Sequence, residues 1–158
     1  MIVLGIDPGY AKLGCSVVKK FKDSYEIIES LLIETKPGDA HEKRILFIGN
    51  AVQKIIFKHQ PQALSIEKIF FSTNQKTAIK VSEIKGAVMF LAATNNIPCF
   101  EFTPLEIKMA LCGYGKADKK QIQEMVKIIL NLKTPPKQDD VADSIAVALT
   151  CFLTKKIY

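Results

Sequence analysis

Five acidic residues stand where a carboxylate is hardest to dismiss as surface decoration. Asp7 closes the apolar run Ile2 to Ile6 and is followed by Pro8-Gly9. Glu67 closes a second run, Ala63 to Ile66, and Asp139, Asp140 and Asp143 gather where the last apolar-periodic segment begins. A carboxylate is a hard oxygen donor, so several converging on one point would suit a divalent cation. Each acid also has an ordinary reading. Asp7 can simply start the Pro-Gly turn, and Glu67 can pair with Lys68 or face water. Asp139 is the better placed of the three to cap a helix. A cap needs one acceptor, and the helix dipole rewards a further exposed acid by only up to about 1 kcal/mol. Asp140 and Asp143, three apart, share one helix face beside small residues, which favours a shared cation site.

The elements that must position these acids follow from periodicity and punctuation. Ile2 to Ile6 is too short for a stable helix and rich in β-branched residues, so it reads as a buried strand. Pro8 fixes φ and Gly9 permits the reversal into a return strand over Leu13 to Val18, which carries Gly14; Tyr25 to Ile33 supplies a third strand after a turn at Asp23-Ser24. From about His41 to Lys58 the positions Ile45, Ile48, Val52, Ile55 and Ile56 recur at helical spacing, and Gln60-Pro61 ends that helix. Ala63 to Glu67 is a short core strand. A second helix runs from Thr73 to about Thr94, with Ile79, Ser82, Gly86 and small or apolar residues through Ala93 on its buried side. Pro98 to Thr103 makes the last strand, and Thr103-Pro104 with Glu106 has the pattern of a cap and first turn. Helices follow over roughly Asp118 to Leu130 and from 138–140 onward, the latter with the stripe Ala142, Ile145, Ala146, Leu149 and Phe152. The sum is one α/β domain over 1–158: a mixed five-stranded sheet, three antiparallel strands and then alternating strands and helices, flanked by helices.

At 158 residues the chain has room for one domain with a full core, and its composition is globular. Its longest apolar stretch is far shorter than a membrane span and it begins in a strand without a basic leader, so a soluble, cytoplasmic protein is expected. Cys15, Cys99, Cys112 and Cys151 show no paired spacing, which suggests neither a zinc site nor a disulfide framework but reduced, mostly buried thiols. His41 and His59 offer little for histidine-based catalysis, leaving carboxylates as the chemical groups. The net charge of +6 suggests an anionic partner. Lys108, Lys116, Lys119, Lys120 and Lys127 concentrate in one segment, with Lys133 and Lys137 just beyond, and Gly113 and Gly115 make a flexible basic loop suited to a phosphate backbone. The alternative is a solvated helix face.

The segments GIDPGYAKLG, SIEKIFF, GYGKADKKQIQEMV and DDVADSIAVAL, in this order and spacing, resemble the RuvC family of Holliday-junction resolvases over nearly the whole chain. GIDPG alone also resembles the phosphate loop of actin-like and hexokinase-like ATPases, but those need two domains. The RuvC resemblance implies an RNase H-like fold and a homodimer that cuts two strands of a four-way DNA junction symmetrically, in recombination and repair. It further implies work beside a branch-migration helicase complex of RuvA and RuvB type. It maps the catalytic, metal-binding acids onto Asp7, Glu67, Asp140 and Asp143, with Asp140 preferred to Asp139 because it lies three residues before Asp143. Phe70 matches the phenylalanine used near the junction centre, Phe71 being a neighbouring aromatic, while Lys108 and Lys119 match functional basic positions and Lys116 and Lys120 share their segment. An exposed Phe70 would stack on an unpaired base, a contact worth about 1–3 kcal/mol; the alternative is a core aromatic. The acids would hold two Mg²⁺ ions about 4 Å apart, with Asp7 bridging and Mn²⁺ a substitute, to activate a water and stabilise the leaving 3′ oxygen. Ends with 5′ phosphate and 3′ hydroxyl are expected. Two other functions compete: an RNase H-like nuclease acting on RNA, and a non-catalytic junction-binding module. The helix from Thr73 to Thr94 is the expected dimer contact.

Overall fold

Strand pairing follows the turn residues. The computed structural model describes residues 1–69 and 75–154. The Pro8-Gly9 reversal sets β1 (Ile2–Asp7) antiparallel to β2 (Lys12–Phe21), with Asp7 opposite Gly14. A tight turn with Lys22 at φ 53° leads into β3 (Ser24–Glu34), antiparallel to β2. The chain then crosses over through α1 (His41–His59) to β4 (Ala63–Glu67), and through α2 (Gln75–Thr94) to β5 (Cys99–Phe102). Each crossover returns a strand parallel to its neighbour, as helical connections allow. The sheet order is β3-β2-β1-β4-β5, the mixed five-stranded sheet expected from the sequence. Among the described residues three helices complete the fold: α3 (Pro104–Cys112), α4 (Lys119–Ile129) and α5 (Asp139–Thr154).

Alternation along the strands divides the core in two. Leu4, Ile6, Leu13, Cys15, Val17, Leu64 and Ile66 pack with Ile48, Val52, Ile55 and Ile56 of α1 and Ile84, Val88 and Ala92 of α2. Val3, Val18, Ala63 and Phe102 pack instead with Ile107, Val126, Ile145 and Leu149 from α3, α4 and α5. Gly5, Gly14, Ser16 and Ser65 have the parity of this second face, and there α5 lies almost on the backbone of the sheet. Ser16 and Ser144 hydroxyls meet at 2.5 Å, and the Ser65 hydroxyl donates to the Val147 carbonyl at 2.6 Å, so the polar groups in this seam are satisfied. Asp7 and Glu67 share that parity.

The start of α3 follows the sequence pattern. Thr103 and Glu106 form a reciprocal capping box on α3, and Asp118 and Gln121 form another on α4. The orientation of α2 follows no such pattern. Ile79 is 55% exposed, and Gly86 and Ala93 also face outward, while Ile84, Val88 and Ala92 are buried. The helix is apolar around most of its circumference, so periodicity does not select a face; packing on the sheet does. Cys15 and Cys151 are buried, Cys99 and Cys112 partly so, and no disulfide links any of the four. Burial pushes the Cys15 thiol up to about 12. No helix among the described residues is long and apolar enough to cross a membrane.

Candidate active site

Asp7 and Glu67 end neighbouring parallel strands whose register pairs Ile6 with Ile66, so both carboxylates emerge at one end and on one face of the sheet. The start of α5 is drawn onto that face by the absence of side chains beneath it. A Cβ at Gly14 would lie 1.9 Å from the Asp140 carbonyl oxygen, and one at Gly5 would lie 2.2 Å from that of Ser144. Only glycine permits such an approach. It brings Asp140 and Asp143 into the field of Asp7. Burial first, then the Asp143, Glu67 and Asp140 carboxylates, push Asp7 up to about 7, against a smaller opposing pull from Lys119. Glu67 is raised by burial and by Asp143, with Lys85 drawing it down; Lys68 makes no ion pair with it among the described residues. Asp143 is raised by burial, with Lys119 opposing.

Lys119, at the start of α4, reaches across to this cluster. Its Nζ lies 3.2 Å from Asp139 and 3.4 Å from Asp143. Burial lowers its affinity for a proton, but the two carboxylates outweigh that and hold its pKa above the ordinary value. Asp139 does not cap α5. The Gln138 carbonyl accepts the first helical bond, from Ala142 N–H at 2.9 Å, so Asp139 is already helical. Its carboxylate instead accepts from Gln123 Nε2 at 3.1 Å and pairs with Lys119, tying α5 to α4. Beside the acids is a cavity of about 210 Å³ lined by Glu67, Lys119 and Asp143 with Pro104, Ile107, Ile122 and Ala146.

The donor set fits a divalent cation: each carboxylate offers hard oxygens, and Asp7, its pKa raised by burial and then by the neighbouring acids, faces negative charge that a dication would neutralise. The Lys119 ammonium already occupies part of that role. Among the described residues no three His, Cys, Asp or Glu side chains converge closely enough to grip an ion as they stand.

The profile of the crossover junction endodeoxyribonuclease RuvC family matches residues 3–151. The chain belongs to the RuvC family. A RuvC crossover junction endodeoxyribonuclease from Alkaliphilus metalliredigens is 44% identical over 149 residues, covering 94% of this chain and 91% of that one. The structure of Thermus thermophilus RuvC superposes with a TM-score of 0.90 at 33% identity, covering 97% of this chain and 94% of that chain. T. thermophilus RuvC in complex with Holliday junction substrate gives 0.92 at 33% identity, covering 97% and 93%. The fold is therefore RNase H-like, as the resemblance implied.

In this RuvC-family chain the basic segment is better anchored than its glycines suggest. Gly113 ends α3 with φ 67°, Ala117 is buried, and its N–H donates to the Tyr114 carbonyl at 3.2 Å. Lys116 and Lys120 are exposed and Lys108 is half-buried on α3, whereas Lys119 lies against the acids. Phe70 lies outside the described residues. Sequence reasoning missed Lys85, which pairs with Glu101 and reaches the field of Glu67. It sits inside the apolar run of α2, with no local pattern to mark it.

Proposed function

We propose that this chain, a single RNase H-like nuclease domain of the cytoplasm, resolves four-way Holliday junctions by paired phosphodiester hydrolysis in recombination and repair. The observation that carries this reading is the superposition of 97% of the chain on T. thermophilus RuvC in complex with Holliday junction substrate. Asp7, Glu67, Asp140 and Asp143 are the residues that would hold two divalent ions, Mg²⁺ or in its place Mn²⁺. When bound, the ions supply Lewis-acid chemistry, acidifying the attacking water and offsetting charge on the leaving 3′ oxygen. The products are 5′-phosphate and 3′-hydroxyl ends. Asp7, which feels all three other acids, would be the central ligand of that set. With the charge of the acids offset, Lys119 would be available to join Lys108, Lys116 and Lys120 on the phosphate backbone. Phe70 stacks on a base near the junction centre, as the family resemblance implies. That resemblance also implies a RuvA- and RuvB-type helicase complex as partner.

The test is a substrate panel with Mg²⁺ and with EDTA: four-way junction, linear duplex and RNA–DNA hybrid. The expected result is paired cuts in the junction alone, abolished by EDTA. Equal cleavage of the hybrid would favour the ribonuclease reading, and binding without cleavage would favour the binding module.

Paired cuts require two active sites, and a two-fold dimer supplies them. The outer faces of α1 and α2 form a groove of about 510 Å³ lined in part by Ile45, Leu46, Gly49, Gly86, Phe90 and Leu91. Leu46 is 62% exposed and Phe90 66%, and these faces are the proposed homodimer contact. Phe90→Glu would bury a charge there on association while sparing the protomer core. It is expected to convert the dimer to a folded monomer in sedimentation velocity and to suppress paired cutting. Unchanged sedimentation would place the dimer elsewhere.

A further inference from the structure

Tyr10, three residues past Asp7 in the turn between β1 and β2, is held by two cations. The Arg44 guanidinium carbon lies 4.5 Å, and the Lys80 Nζ 4.8 Å, from the centre of its ring. Arg44 comes from the start of α1 and Lys80 from the first half of α2. Thr35 donates to the Tyr10 carbonyl at 3.1 Å, so the turn is pinned to the end of β3 as well. The His41 ring lies 5.4 Å from that of Tyr10, and His41 takes the carboxylate of Glu83. Among the described residues the Arg44 side chain meets no anion: the residue is 8% exposed and its Nε has no hydrogen-bond partner. Among the described residues neither Arg44 nor Lys80 forms an ion pair. The N-terminus of α1 beside them also lacks a side-chain cap.

Burying a guanidinium this deeply without a counter-charge is costly, and a cation–π contact offsets only part of that cost. A buried guanidinium and an exposed ammonium on one ring, neither ion-paired among the described residues, next to helix N–H groups with no side-chain cap, therefore make a preorganised anion site. Its place in the fold says which anion. Tyr10 belongs to the turn that presents Asp7, and α1 and α2 cover the face of the sheet opposite α5. We propose that Arg44 and Lys80, organised on Tyr10, clamp a backbone phosphodiester of the DNA strand that passes Asp7 on the side away from the α5 acids. Arg44 supplies a planar fork matched to phosphate and Lys80 a point charge. The clamp rests on the reading of this chain as a DNA nuclease.

The test is junction and linear-duplex binding by fluorescence anisotropy across a salt series, in the cleavage-silent Asp7→Asn background, with Lys80→Gln or Arg44→Gln added. Each added substitution is expected to weaken both DNAs alike, Arg44→Gln by about tenfold. Each should also reduce the slope of log affinity against log salt by about 0.9. The melting temperature should hold or rise for Arg44→Gln, which removes an unpaired buried charge. Unchanged slopes in both variants would overturn the clamp. So would weakened binding confined to Arg44→Gln with a lowered melting temperature, which would reduce Arg44 to a support for Tyr10. Failure of the Asp7→Asn parent to bind any DNA would overturn the nuclease reading itself.

Discussion

Asp7→Asn is expected to reduce Mg²⁺-dependent junction cleavage by at least about 10³-fold while junction binding persists. Asparagine keeps the shape of the side chain and removes the negative charge that faces the other three acids. The same change should make the metal-free protein more stable. In the folded state Asp7 is raised from its ordinary 3.8 to about 7, so between those values the folded protein binds more protons than the unfolded chain. Stability without metal therefore falls as pH rises through that window, and the raised Glu67 and Asp143 act with the same sign. Asparagine has no proton to lose. At about pH 8 without metal the variant should exceed the wild type by up to a few kcal/mol, with the gap closing toward pH 4. Added Mg²⁺ should raise the wild-type melting temperature more than that of the variant. Calorimetry between pH 4 and 8, with and without Mg²⁺, reads this directly. Cleavage retained by Asp7→Asn, or a wild-type melting temperature flat across the window, would sink the account.

Gly14→Ala is the second substitution expected to act strongly, although it changes no charged group. The added methyl would overlap the Asp140 backbone, at 1.9 Å from its oxygen and 2.5 Å from its carbonyl carbon. Neither is the free end of a side chain, so α5 or β2 must move. Overpacking of this kind typically costs about 1–3 kcal/mol. The catalytic loss should be larger, because a displacement on the order of 1 Å in a site can reduce rate about 10²-fold. Ile84→Val provides a control, since it removes a buried methyl from the opposite face at a cost of about 0.5–1.5 kcal/mol. It should cleave normally. If Gly14→Ala loses stability but cleaves at the wild-type rate, the approach of α5 to the sheet does not set the acid geometry.

The acids could be read from sequence because each sits at a boundary that periodicity marks well: two strand ends and the start of a helix. The capping box of Thr103 and Glu106 was legible for a similar reason, being a local pattern with a local cause. What escaped was set by tertiary contact. Gly14 was noticed inside its strand, but nothing nearby shows that the Asp140 backbone rests on it. Asp139 suits a cap by type, yet α4 offers it Lys119 and Gln123 from 16 or more residues away. Sequence does not separate the outer face of α2 from its core face, because Ile79, Gly86 and Ala93 are as apolar or small as Ile84, Val88 and Ala92. Phe70 stays a proposal carried by family resemblance.

The shared parity of Asp7 and Glu67 has a consequence for how the chain can change length. Side chains alternate faces, so inserting or deleting one residue within β1 or β4 would turn its terminal acid toward α1 and α2 and dismantle the site without altering a single residue type. A two-residue change would restore the face but shift the acid along its strand by roughly 6.6 Å. Natural length variation should therefore avoid the interiors of these two strands and collect in connections such as residues 36–40 and 131–138, where slack does not propagate to a carboxylate.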